Sequence, residues 1–200
     1  MTIFTLNNLS RRAVLGGLIS LAAWPAAAIT DRQARTLVGR LVDDINTVIA
    51  ANKSEAATIK EFEGIFARYG DVPAIARSAL GPTARGLSGS ELDAYTAAFR
   101  GYMSRKYGKR FREFSGGRIE VTSARPAGRF YEVLSTAYLR GSNPFELTFV
   151  VSDRGGEDRF INLLIEGVNM LATERVEITA MLDQNGGNVA RLIQMLERAG

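Results

Sequence analysis

Histidine and cysteine are both absent from the 200 residues, and that absence removes most of the familiar site chemistries. No Ser-His-Asp triad, no His or Cys metal cluster and no axial haem histidine can be assembled. Acid–base work would fall to carboxylates, and no two of them are spaced so that one element would bring both into a shared pocket. Asp43 and Asp44 fall on the polar side of a helical pattern, where water is the expected environment. Asp71 stands where a helix needs an N-cap. Glu166 is more informative, because within FINLLIEGVNMLATERV it follows directly on the apolar strand FINLLI, and Arg175 comes nine residues later. That spacing suits an ion pair bracing the turn after a strand, and this structural reading outweighs a catalytic one.

The elements that position these residues can be read from period and punctuation. Apolar residues recur at three and four from Ala34 to Ile49, an amphipathic helix with Thr30 or Asp31 as its N-cap. A second helix spans about Ser54 to Tyr69 and stops at Gly70. A short third follows Asp71, with Pro73 in its first turn and Gly81-Pro82 at its end. Ser88 or Ser90 opens a long fourth helix, where aromatics are concentrated, with a stripe of Leu92, Tyr95, Phe99, Tyr102, Met103 and Tyr107. Such a stripe serves as a core face or as the wall of an apolar pocket.

At Gly116-Gly117 the period changes to two. Ile119 and Val121, then Tyr131 to Leu139, then Phe145 to Val151, then the run from Phe160 read as four strands joined by short loops, hence an antiparallel meander. The Gly-Gly pair in the polar loop from Asp153 to Asp158 reads as a hairpin turn. A helix from Thr173 to Asp183 and a last one capped by Asn188 close the chain. Helices and strands are segregated along the sequence, so the fold class is α+β: a curved antiparallel sheet of about four strands covered by helices.

The amino terminus reads as a separate object. Arg11 and Arg12 precede an apolar stretch from Ala13 to Trp24 and the small residues Ala26-Ala27-Ala28, which is the order of a cleavable export signal. The paired arginines also resemble a twin-arginine signal. Residues 1–28 are therefore expected to be removed and residues 29–200 to form one domain in the periplasm. Loss of the two arginines lowers the formal charge of +4 by two, so a nucleic-acid partner is not expected. The KYGKRFR run from Lys106 to Arg112 is the only basic cluster read from the sequence. It suits a solvated helix face, or a contact with acidic head groups or a partner. With no cysteine, stability must come from packing.

A resemblance runs through the segments just described. IEGVNMLATERVEI followed by NVARLIQML resembles the closing pattern of the MlaC family, also called the toluene-tolerance or ABC-transporter auxiliary family, through Ile165, Glu166, Gly167, Val168, Arg175, Leu192 and Leu196. DVPAIARSALG and FRGYMSRKYGKRF resemble earlier segments of the same family through Asp71, Ile75, Ala76, Leu80, Gly81, Phe99 and Tyr107. Three positions depart from the pattern: Asn169 replaces a serine, and Asp158 and Asn162 stand where a Trp and an Asp are usual on the preceding strand. A hopanoid-associated branch shares the pattern.

The resemblance implies a monomeric periplasmic carrier of phospholipid or hopanoid, without cofactor or metal, exchanging cargo with an inner-membrane ABC transporter complex and an outer-membrane lipoprotein complex. It implies an apolar cavity between the sheet and its helices, because each methylene removed from water contributes roughly 0.8 kcal/mol. The residues expected to line that cavity are Ile75, Leu80, Phe99, Tyr102, Met103 and Tyr107 from helices, with Val133, Phe149, Val151, Leu163, Ile165 and Val168 from strands. An adaptor subunit without ligand, and a carboxylate enzyme using Glu166 or Asp71 on a hydrophobic substrate, are the competing readings.

Overall fold

The computed structural model describes residues 30–110 and 116–200. The expected export signal and the end of the basic run, Phe111 and Arg112, lie outside the described residues. Helix α1, Asp31–Ala50, begins with a capping box: Gln33 N–H donates to Thr30 Oγ1, and Thr30 N–H donates to Gln33 Oε1 at 2.9 Å. Thr30, not Asp31, is therefore the cap. Helix α2, Glu55–Tyr69, is capped by Ser54, and α3, Val72–Leu80, by Asp71, whose Oδ1 accepts from Ala74 N–H at 3.1 Å. A 3-10 segment, Gly81–Gly86, leads into α4, Gly89–Arg110.

The sheet follows as β1 Arg118–Ala127, β2 Phe130–Tyr138, β3 Phe145–Ser152, β4 Arg159–Ile165 and β5 Val168–Asn169, paired antiparallel in chain order. Irregularities at Val121/Ser123 and Val150/Val151 interrupt the register of an otherwise continuous meander. Bulges of this kind bend and twist a strand. The fifth strand, absent from the sequence reading, is two residues long, too short for any periodic signal. A tight turn makes it: Glu166 and Gly167 both have positive φ, +50° and +78°, between the paired Ile165 and Val168. Helices α5, Met170–Gln184, and α6, Val189–Arg198, complete the chain. Helix α5 starts three residues before the sequence suggests, because Asn169 Oδ1 accepts from Ala172 N–H at 3.0 Å and caps it. Asn169 occupies the place of a serine in the resemblance, and both residue types serve as N-caps.

Two apolar cores form. One joins α1 to the sheet, with Val38, Leu41 and Ile45 packed with Val133, Ala137, Phe149 and Val151. Asn46 holds the two layers together, donating to Ile119 C=O and accepting from Ile119 N–H, both at 2.9 Å. The other core is helical: α3, α4, α5 and α6 pack through Ile75, Leu80, Tyr95, Phe99, Tyr102, Ile178, Leu192 and Leu196. Phe160 on β4 belongs to both margins, with its ring 6.0 Å from that of Phe66 and 6.3 Å from that of Phe149. The backbone is pinned at the same place, where Asp71 N–H donates to Phe160 C=O at 2.9 Å. Gly70 permits this approach, since a Cβ there would stand 2.8 Å from Phe66 O.

Candidate functional site

A cavity of about 370 Å³ opens where the two cores fail to meet. Leu41 and Ile45 of α1, Phe62, Ile65 and Phe66 of α2, Ile75 of α3 and Met103 of α4 supply its helical wall. Leu147 and Phe149 of β3, with Phe160, Ile161, Leu163 and Ile165 of β4, supply the sheet wall, and Met170 and Leu171 of α5 close it. This accounts for the apolar run on β4. Every residue of β4 is half-buried, none fully, as befits a strand whose side chains meet a void as well as packed atoms.

Of the twelve expected wall residues, the structure brings together Ile75, Met103, Tyr107, Phe149, Leu163 and Ile165 around the cavity. The other six lie elsewhere. Leu80, Phe99 and Tyr102 are buried in the helical core, because Leu80 of α3 and that face of α4 join α5 and α6 in one cluster, with α3 packed on α4 and α5 and α4 on α6. Val133 and Val151 are fully buried in the core beneath α1, and dense packing leaves them no open side. Val168, on the two-residue edge strand, is 55% exposed.

Four polar residues interrupt the apolar lining: Asn162, Tyr107, Arg110 and Glu174. Asn162 anchors the wall. Its Oδ1 accepts from Leu171 N–H at 3.1 Å and its Nδ2 donates to Asn169 Oδ1 at 2.9 Å, so one side chain ties β4 to the first turn of α5 and to that helix's cap. Asn162→Leu should lower stability by about 1–3 kcal/mol, because Leu171 N–H loses its acceptor and the cap loses its support. Urea denaturation reads this change, and an unchanged midpoint would deny Asn162 the anchoring role.

Glu174 was missed in the sequence, although it falls at i−4 and i−8 from the buried Ile178 and Leu182, on the apolar stripe of α5. It is 1% exposed. Lys106 Nζ lies 2.9 Å from its Oε1 and 3.1 Å from its Oε2, and Tyr107 OH donates to the same Oε1. Lys106 also pairs with Glu177, which accepts from Tyr102 OH. The basic run is therefore no solvated face at Lys106: that side chain turns inward, while Lys109 donates to Gly200 C=O and Arg110 reaches the cavity lining.

The titration of the cluster follows from its burial. Desolvation raises the Tyr102 and Tyr107 phenols, and the hydrogen bonds to Glu177 and Glu174 raise them further. At Glu177 burial acts upward but is outweighed by hydrogen bonds from Lys106 and Tyr102 and by the charges of Lys106 and Arg110, so its carboxyl sits below the ordinary value. Both tyrosines thus stay neutral donors, and the Glu177 carboxylate is favoured in its charged form. The expected brace between Glu166 and Arg175 is replaced by two separate fastenings. Glu166 accepts from Glu146 N–H and holds the β4–β5 turn, whereas Arg175 Nε donates to Ser78 C=O at 2.8 Å and ties α5 to α3. Neither Glu166 nor Asp71 lines the cavity.

The family model described as MlaC protein matches residues 38–198, from within α1 to the end of α6. The chain belongs to the MlaC family. Among solved structures, the fold of this MlaC-family chain is similar to that of a phospholipid-binding protein from Ralstonia solanacearum, solved in complex with a phospholipid. The TM-score is 0.70 at 17% identity, over 82% of this chain and 94% of that one, a likeness that concerns the fold. No curated protein matches the chain. Among the described residues no helix is long and apolar enough to cross a membrane, and no group of three or more acidic residues is placed to hold a metal ion.

Proposed function

We propose that this MlaC-family protein is a lipid carrier whose cavity takes the apolar tails of a phospholipid, and that it moves them through the periplasm between inner- and outer-membrane transport complexes. The observation that carries the reading is the cavity of about 370 Å³ walled by hydrocarbon from both layers. A void of that kind lacks dispersion partners and is costly to maintain empty. Alkyl chains supply those partners, and each methylene withdrawn from water adds roughly 0.8 kcal/mol.

Membership in the MlaC family and the phospholipid complex of the Ralstonia protein support the same ligand class. A fused-ring hopanoid is the competing apolar ligand, and the ligand's own mass distinguishes it from a diacyl lipid. The export signal read in residues 1–28 supports the periplasmic location. Binding and release of an intact lipid need no covalent step from the protein. The carrier reading predicts that catalytic amounts of protein accelerate movement of fluorescent phospholipid from donor to acceptor vesicles held apart by a membrane that passes protein. A rate equal to that without protein would refute carriage while leaving binding open to a separate measurement.

A further inference from the structure

A second concavity lies on the other side of the same helices. Ala74, Arg77 and Ser78 of α3, Gly81, Pro82, Ala84 and Arg85 of the 3-10 segment, Leu92 of α4 and Arg175 of α5 enclose a groove of about 680 Å³. Three guanidinium groups border it, and no carboxylate lines it. All three arginines are exposed. Among the described residues none of the three makes an ion pair, and Arg175 is held by Ser78, with Nε donating to its C=O at 2.8 Å and Nη2 to its Oγ at 3.5 Å. Three like charges around one groove repel one another, and an anion that enters it relieves that repulsion.

The shape selects among anions. Besides the arginines the lining includes the small or apolar residues Ala84, Pro82 and Leu92. A planar bilayer surface meets ridges, whereas a concave groove receives a protruding chain. Guanidinium forks pair with carboxylates through two parallel N–H donors, so a segment bearing Asp or Glu suits both the arginines and the apolar lining.

We infer that the groove bordered by Arg77, Arg85 and Arg175 is a docking site for an acidic peptide segment of a protein partner. Its position gives docking a consequence for the cavity. Ile75 of α3 and Glu174 of α5 line the cavity, while their neighbours Ala74 and Arg175 line the groove. The two helices form the partition, so a docked segment touches the elements that wall the cavity.

The inference is tested with a fluorophore-labelled hexaglutamate peptide and the purified protein, by fluorescence anisotropy at low and at physiological salt. The expected result is salt-sensitive binding that falls about tenfold or more in Arg77→Glu/Arg85→Glu and is unchanged in Arg32→Glu, a reversal on the exposed start of α1. Arg77→Gln/Arg85→Gln, which removes charge without adding any, should weaken binding in the same direction while keeping the wild-type melting temperature. Absence of peptide binding, or equal binding by the two arginine variants and the wild type, would overturn the inference. So would arginine-dependent capture by phosphatidylglycerol vesicles without peptide binding, which would assign the groove to a membrane surface. Lipid content is read separately, so failure here leaves the carrier reading standing, and the reverse also holds.

Discussion

Replacing Lys106 with methionine lowers the free energy of unfolding by about 3–5 kcal/mol, the largest single-residue loss expected away from the apolar core. Lys106 Nζ is the cation nearest to Glu174, 2.9 Å and 3.1 Å from its two oxygens, and Glu174 is 1% exposed. Methionine keeps the length of the stem and its contacts but leaves a carboxylate buried with Tyr107 OH as its remaining hydrogen-bond donor. Such a charge can be relieved only by taking up a proton or by local opening.

The double variant Lys106→Met/Glu174→Gln separates this cause from lost packing. Glutamine still accepts from Tyr107 OH and carries no charge, so the second substitution should restore most of the stability lost in the first. Urea denaturation of the four proteins in the cycle gives the coupling directly. Additive losses would mean that the ion pair is not what holds α4 to α5. The pH dependence has a definite sign as well. Glu177 is held below its ordinary value, so its contribution is present above the unfolded-state pKa and is lost as pH falls through the folded-state value.

Placing tryptophan at both Leu163 and Ile165 should empty the protein of lipid. Both residues lie on the cavity side of β4, and the two indoles would take space in a void of about 370 Å³. Because the new rings enter open volume, the overpacking penalty should stay at or below the usual 1–3 kcal/mol and the fold should survive. Lipid recovered per chain should fall at least about tenfold, which corresponds to about 1.4 kcal/mol of binding. At roughly 0.8 kcal/mol per methylene, two methylenes left in water already exceed that loss. Folding is checked by circular dichroism and thermal melting. A folded double variant that retains full lipid content would place the ligand somewhere other than this cavity.

Four helix starts were legible because period and caps agree with each other. Thr30, Ser54, Asp71 and Asn188 each precede an apolar pattern and each caps its helix. The cavity wall was only half legible, and the reason is physical. Hydrophobicity and helical spacing show that Tyr95, Phe99 and Tyr102 share a buried face, but they do not say what that face meets. A residue packed among side chains and a residue bordering a void carry the same sequence signature. Tyr102, in the helical core, and Met103 and Tyr107, on the cavity, all stand on one helix and separate only when α3, α5 and α6 are docked. Glu174 was legible in principle, since a carboxylate on the stripe of Ile178 and Leu182 demands a buried partner. The donors come from 67 and 68 residues away on α4, a pairing that no local pattern announces.

The most direct test of the carrier account is organic extraction of protein purified without detergent, followed by mass spectrometry of the extract. The expected result is roughly one diacyl phospholipid, or one hopanoid, per chain, as a single cavity requires. Protein that emerges free of lipid, and that takes up none from phospholipid vesicles, would contradict the account.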